Sequence, residues 1–383
     1  MERLRFPAPT SPTSIALLAV LALAPLVILP RFRIVNINIR PGRFLQLRKR
    51  SDNEKYEETE VVSLRIYPIK SCRGFEVSRT TLRKQGLDLD RRWMFVDAKT
   101  NEFLTIRQIP EMTLINTGLS PDGEFLELSI AKDSDNDVEK KEKVISIPAY
   151  PTPDWLAAHT TLERVKIWDV ETDGYLYGPG TTGVNEFFST FLNREVRLVY
   201  KGPTPRVLRG NADPQLLGRE QDTFFPDVLP LLIGSEASLR ELNERLERKG
   251  EEPITIERFR PNIIVRGTEP WVEDRWKVVR FSAAAASDDE ASTSSSSKQQ
   301  PLDIDIVARC ARCQVPNVDP ATAQKHRHEP WDTLMAYRRV DEGIKFKPCF
   351  GMMGVPRNEG EIEVGMKMEV LDVTDGHRYI KGF

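Results

Sequence analysis

The sequence predicts a β-rich, mixed α+β fold with few packed helices, preceded by a membrane-anchor helix. Three observations predict it: short runs of alternating apolar and polar residues recur along most of the chain, one segment carries clear helical periodicity, and an uncharged apolar stretch stands near the N-terminus. The chain is 383 residues long, with 40% hydrophobic and 29% charged residues, which is enough for one large or two medium domains with real cores. A net charge of −2 gives no sign of nucleic-acid binding.

Residues 1–13 form a short tail, and 14–30 are expected to be a transmembrane signal-anchor. Residues 7 to 30 carry no charge, and the apolar core from Ile15 to Leu29 is at the short limit for crossing a bilayer. Arg31, Arg33, Arg40, Arg43, Arg48, Lys49 and Arg50 follow before the first acid, Asp52, so the positive-inside rule leaves the globular part in the cytosol. A cleaved secretory signal competes, because Ala22-Leu23-Ala24 resembles a cleavage site, but the dense basic flank opposes it. Cysteines at 72, 310, 313 and 349 lack the density of a disulfide scaffold and fit a reducing compartment. Residues 31–60 read as a basic, then charged, linker.

A first domain over 61–200 opens where Val61 to Tyr67 alternates like a half-buried strand. Arg92–Asp97 and Glu102–Ile106 are expected to be strands joined by the turn Ala98–Asn101, and Phe125–Ile130 a strand after Pro121-Asp122-Gly123. Asp133 to Lys143 is a solvated charged loop, Val184–Leu192 is weakly helical, and Val196–Tyr200 is again a strand.

The second domain, 201–374, starts with a proline-rich loop region from Pro203 to Pro230. The clear helix follows. Ser235 can cap it, Leu239, Leu242 and Leu246 share a face, Glu241–Arg245 and Glu244–Arg248 are spaced four apart, and Gly250 can end it. Residues 282–300 are Ala/Ser/Asp-rich and read as a disordered insertion within the domain. Leu302, Ile304 and Ile306 then alternate on a strand leading to Cys310 and Cys313; a short helix from about Pro330 to Arg338 and strands near 362–372 close the domain.

The segment from Arg309 to Pro320 carries the chemistry. Cys310-Ala311-Arg312-Cys313 is open to several readings. A zinc site is suggested by the twelve residues between Cys313 and His326, but His328 follows too soon and Pro316 and Pro320 break the finger's helix. A thioredoxin-like pair needs a helix N-terminus at its first cysteine, whereas here the cysteines leave a strand. Both can also be small buried hydrophobes. The remaining reading uses one thiolate for a metal that arrives already chelated by an anionic cofactor. Cys313 suits it, beside Arg312 and the turn Asn317–Pro320, while Cys310 shares the parity of Ile304 and Ile306 and is expected to be buried.

Together with Tyr67-Pro-Ile-Lys-Ser-Cys-Arg-Gly74, Asp90-Arg-Arg-Trp93, Ser235-Glu-Ala-Ser-Leu239 and Arg258-Phe-Arg-Pro-Asn-Ile263, this segment resembles the MOSC-domain family, and within it the mitochondrial amidoxime-reducing components. The resemblance implies a MOSC N-terminal β-barrel over 61–200 and a barrel-like MOSC domain over 201–374. It implies a molybdenum–molybdopterin cofactor with Cys313 as the metal ligand and Lys70, Ser71, Arg91, Arg260, Asn262 and Arg312 as cofactor contacts. Arg92 competes with Arg91, and Met353 stands where the family's animal members suggest a tyrosine.

The implied reaction is reduction of N-hydroxylated compounds such as amidoximes, with electrons from cytochrome b5 and its NADH-dependent reductase at the mitochondrial outer membrane, the catalytic part facing the cytosol. The sequence carries no haem, flavin or iron–sulfur signature of its own. The competing class is a non-catalytic cofactor carrier, since MOSC domains also end the molybdenum cofactor sulfurases. This chain is expected to lack the large upstream pyridoxal-phosphate domain of those enzymes and so not to be a complete sulfurase.

Overall fold

A computed structural model describes residues 58–131, 143–283 and 300–382. The anchor at 14–30, most of the linker, the loop at 133–142 and the bulk of the 282–300 insertion lie outside the described residues. Among the described residues no helix is long and apolar enough to cross a membrane.

The centre is a closed barrel of seven strands, in the order Ile263–Val265, Leu231–Ser235, Cys349–Pro356, Leu302–Ala311, Trp276–Ser282, Lys367–Val373 and Glu58–Ile66, which pairs back to Ile263–Val265. Only Leu231–Ser235 and Ile263–Val265 run parallel; the other neighbours are antiparallel. Alternation places Leu64, Ile66, Val279, Phe281, Ile304 and Ile306 in one continuous core. The barrel draws on both halves of the chain: its first strand comes from the N-terminal region, and the other six lie beyond residue 230.

The N-terminal region adds a four-stranded sheet, Trp93–Asp97, Val196–Lys201, Val170–Tyr177 and Thr160–Ile167, and a three-stranded one, Ile115–Leu119, Phe125–Ile130 and Ile145–Pro148. Helix Val184–Phe191 packs on this region through buried Val184 and Phe188. Glu102–Ile106 is not the expected strand. Only Phe103 and Glu102 form isolated bridges, to Val96 and Lys166, because the chain turns at once into the loop that carries Arg107.

The clear helix spans Glu236–Glu247, and the Ser235 side chain accepts from Ser238 N as its cap. Leu242 and Leu246 are buried against Phe259, Leu334 and Phe350, with Leu239 packed at the margin, and Gly250 ends the segment at φ 79°.

Strand Leu302–Ala311 departs from strict alternation. Irregularities in its pairing fall between Ile306 and Ala308 and between Arg309 and Ala311, so Ala308 and Arg309 are both buried and Cys310, expected inside, is only half-buried. A single 3-10 turn, Val315–Asn317, follows Cys313.

Candidate functional site

The sequence-predicted residues converge from distant segments. Lys70 follows the first barrel strand, and its ammonium is buried, bonding Phe225 O at 3.0 Å and pairing with Asp227. Asp227 accepts from Arg107 Nη2 at 2.9 Å and from Trp168 Nε1 at 3.3 Å. Arg107 Nε in turn donates to Cys313 Sγ at 3.3 Å. A second chain of contacts starts at Phe225, whose N–H donates to Arg91 O at 3.0 Å; Arg91 Nη2 donates to Arg260 O at 3.2 Å. Next to Arg260, Phe259 O accepts from Arg312 Nη2 at 2.8 Å, and Arg312 adjoins Cys313. The contacts therefore close into a ring: Cys313, Arg107, Asp227, Lys70, Phe225, Arg91, Arg260, Phe259, Arg312 and back to Cys313.

Local folding fixes each member. Ser71, Arg91 and Arg260 have φ of 71°, 50° and 59°, the left-handed region that non-glycine residues occupy only under constraint. Tyr67, fully buried, supplies the platform for two of them: the Arg91 and Arg260 guanidiniums lie over its ring at 4.4 and 4.3 Å. Asp90 holds Arg91 Nη1 at 2.5 Å and caps Tyr67 N at 2.8 Å. Asn262 is spent on scaffolding, its Oδ1 accepting from Leu232 N at 3.2 Å and its Nδ2 donating to Arg65 O at 3.3 Å. Beyond Cys313, Arg258 clamps the carbonyls of Pro316 and Asn317 and the Asp319 carboxylate, and Asn317 Oδ1 accepts from Trp331 N, so the expected rigid turn is held from both sides.

Burial and charge set the electrostatics. Burial pushes Lys70 down to about 8, with Asp227 working against the shift. Burial alone would raise Asp227, but the Lys70 ammonium and Arg107 guanidinium outweigh it and hold the carboxyl well below the usual range. Burial lowers Arg260 to about 10, and the neighbouring Arg91 adds to it. Burial also raises the Tyr67 phenol against the pull of three arginines.

Arg91 and Arg92 separate cleanly. Arg92 turns away to donate to Tyr200 OH at 2.9 Å and to stack over Phe224 at 4.1 Å, so only Arg91 stands in the ring. Met353 is 6% exposed and packs with Leu208, Leu229, Ala308 and Val355, an apolar role that leaves no polar atom there. Of the alternatives for the cysteines, zinc finds no partners: His326 pairs with Glu251 and His328 with Asp332, and no cluster of metal-ligating side chains occurs among the described residues. Cys310 accepts from Arg312 Nη1 at 3.0 Å and packs at the edge of the Met353 cluster.

Sequence reasoning missed Arg107, Asp227 and Trp168. Arg107 follows a run read as a strand and Asp227 sits in the proline-rich loop, and no local spacing ties either to Cys313.

The ring holds five cations, Lys70, Arg91, Arg107, Arg260 and Arg312, against one carboxylate of its own, Asp227, with Asp90 paired to Arg91 beside it. Arg260 Nη2, Arg312 Nε and Tyr67 OH are buried without a hydrogen-bond partner. Surplus positive charge, orphaned donors and one thiol at a single locus fit a phosphorylated, sulfur-chelated metal cofactor.

Residues 58–195 match the MOSC N-terminal beta barrel domain, and residues 220–369 the MOSC domain. The chain is 32% identical to the human mitochondrial amidoxime-reducing component 1 over 320 residues, 81% of this chain and 82% of that one. The chain belongs to the MOSC family. It is also 29% identical to human mitochondrial amidoxime reducing component 2, over 80% of this chain and 81% of that one. An Arabidopsis thaliana molybdenum cofactor sulfurase is 32% identical over 81% of this chain, but only 35% of the sulfurase is covered. This MOSC protein thus has relatives on both the reductase and the sulfurase side, and its function is tied to the molybdenum cofactor.

Proposed function

We propose that this MOSC protein is a molybdenum-cofactor-dependent reductase of N-hydroxylated compounds such as amidoximes. The observation that carries the reading is the closed ring of contacts that joins the Cys313 thiol to five cations drawn from distant segments. Cys313 is the metal ligand, and Lys70, Ser71, Arg91, Arg260 and Arg312 face the molybdopterin, while Asn262 acts by fixing the segment that carries Arg260. When bound, the cofactor supplies the two-electron reduction of the substrate's N–O bond.

The chain's own residues do the rest. Arg107 directs the Cys313 sulfur through its Nε–H and would offset the charge of that sulfur as a metal ligand. Arg260 Nη2 and Arg312 Nε, orphaned in the protein, are the donors that the cofactor's phosphate and pterin edge would satisfy. Lys70, held near 8 and pinned by Asp227, keeps a proton at Nζ whose release is accessible close to neutral pH, where loss of an N-hydroxyl oxygen as water consumes protons. Electrons come from cytochrome b5 and its NADH-dependent reductase. Residues 14–30 anchor the chain in the mitochondrial outer membrane with the catalytic part on the cytosolic side, a placement supported by the mitochondrial relatives and the basic flank.

The sulfurase relative supports a second reading, a carrier that binds the cofactor without turning over substrate. The cofactor-loaded full chain, assayed for benzamidoxime reduction with cytochrome b5, its reductase and NADH, separates the two. Benzamidine formation is expected. Absence of turnover in protein that contains stoichiometric molybdenum would leave the carrier.

A further inference from the structure

Phe346 is the most exposed large hydrophobic residue among those described, at 85%, and nothing in the described fold covers it. Lys345 and Lys347, both exposed, flank it. Beside it lies a groove of about 410 Å³ lined by Tyr337, Arg339, Val340, Glu342 and Lys345.

The loop is held rigidly. Asp341, at the groove's edge, is buried, and its Oδ1 accepts from Gly343 N at 2.9 Å and Tyr379 N at 2.8 Å. Gly343 touches the Tyr379 backbone so closely that a Cβ there would meet Tyr379 O at 2.1 Å. Below the loop, Cys349 N donates to Arg338 O, and Arg338 is bonded bidentately to Asp274 at 2.8 and 2.9 Å. A fixed loop that leaves a phenylalanine in water between two lysines forgoes burial that a small rotation of a flexible loop would recover.

Strand direction says which side of the molecule this is. Glu58–Ile66 is antiparallel to Ile263–Val265, that strand is parallel to Leu231–Ser235, and Leu231–Ser235 is antiparallel to Cys349–Pro356. The first barrel strand and the strand after Phe346 therefore start at the same end of the barrel, three steps apart. Val61 pairs with Val265, which is level with Ser235, just past Ile233 and its partner Met352 near the start of the strand Cys349–Pro356. The described chain begins at this end, with Glu58.

We infer that the loop Arg339–Lys347 is a second membrane contact: Phe346 enters the interfacial zone of an anionic bilayer, and the groove with Arg339 and Lys345 receives a phospholipid headgroup. An aromatic ring between lysines is suited to the lipid–water boundary, where the ring is buried at the acyl margin and the ammonium groups meet phosphate. Glu342 is the one exposed acid in the groove, outnumbered by Arg339, Lys345 and Lys347. The inference rests on the anchored placement proposed above. Its consequence is positional: Pro348 O accepts from Arg312 N at 2.8 Å, so a membrane-seated loop holds the barrel end next to Cys313 at a fixed height over the lipid.

The test uses the full chain with Phe346→Trp, reconstituted in bilayers containing phosphatidylserine and acyl-brominated phosphatidylcholine, with flotation measured in parallel. After subtraction of the unsubstituted chain, the added tryptophan is expected to emit blue-shifted light that the bromines quench. Adding Lys345→Gln and Lys347→Gln, or removing phosphatidylserine, is expected to weaken that quenching, by about fivefold in partitioning per lysine. A chain that floats while emission from the introduced indole stays water-like and unquenched overturns the loop contact and leaves the anchor standing. A chain that does not float overturns both. Shielding of that indole that appears only on adding an acidic soluble protein such as cytochrome b5 overturns the lipid assignment in favour of a protein docking face.

Discussion

At the scale of single residues the site turns on what surrounds Cys313. Cys313→Ser is expected to lose molybdenum and amidoxime reduction together while the far-UV spectrum and thermal midpoint stay close to those of the parent, because the half-buried thiol contributes little packing. Retention of full metal content would refute its role as ligand. Asp227→Asn tests Lys70. The carboxylate works against the burial that holds Lys70 near 8, so its removal favours the neutral amine. If the Lys70 ammonium serves turnover, activity falls as pH rises through about 8 in the parent, and in Asp227→Asn the alkaline limb of kcat moves to lower pH. A limb that stays in place would show that Lys70 does not carry the proton. Lys70, Arg91, Arg260, Arg312 and Cys313 were legible because each sits in a short recognisable run. Arg107 and Asp227 were not, since Arg107 meets Cys313 across 206 positions and Asp227 across 120, and neither stretch carries periodicity or a metal-ligand spacing.

At the scale of elements, the helix Glu236–Glu247 is tied to the turn Val272–Arg275 by one polar knot. Ser238 Oγ donates to Glu273 Oε1 at 2.6 Å and accepts from Trp271 N at 2.8 Å, while Glu273 Oε2 is buried without a partner. Burial raises Glu273 to about 7, against the hydrogen bond from Ser238. Its folded value is above its unfolded one, so between roughly pH 4.5 and 7 the folded state binds more protons. The stability this gives is complete at acid pH and is lost as pH rises through 7. Glu273→Gln, which stays neutral, is therefore expected to gain on the parent by about 2 kcal/mol between pH 5 and pH 8, read from paired denaturant titrations. A constant difference across that range would place the charge elsewhere. Most elements could be read from the sequence because alternation and capping are local: the Ser235 cap, the Glu241–Arg245 pair and the strand at Leu302 all stand as expected. Alternation failed at Cys310 because two irregularities in the pairing of Leu302–Ala311 with Cys349–Pro356 reset which residues face inward, and such bulges are set by the neighbouring strand.

At the scale of the whole molecule, the barrel is closed by a strand from the other half of the chain. Residues 220–383 alone would leave Ile263–Val265 and Lys367–Val373 as open edges, because Glu58–Ile66 pairs with both. That fragment is expected to aggregate or unfold without a cooperative transition, and adding back residues 58–219 in trans to restore one. A cooperative, monomeric 220–383 fragment would show that closure is dispensable. This interlocking was hidden from a linear reading, which sees two successive stretches of strands and has no local signal that the first strand of one completes the other. Ser71, Arg91 and Arg260 sit in left-handed backbone, each at a cost of about 1 kcal/mol or more relative to glycine. Glycine at Arg91 would relieve that backbone strain but leave the buried Asp90 carboxylate without its partner and strip a guanidinium from the Tyr67 ring, so the contacts that build the site also hold the strain in place. A screen for heat resistance alone would therefore keep Arg91 for its pairing with Asp90, with no cofactor chemistry to select for it.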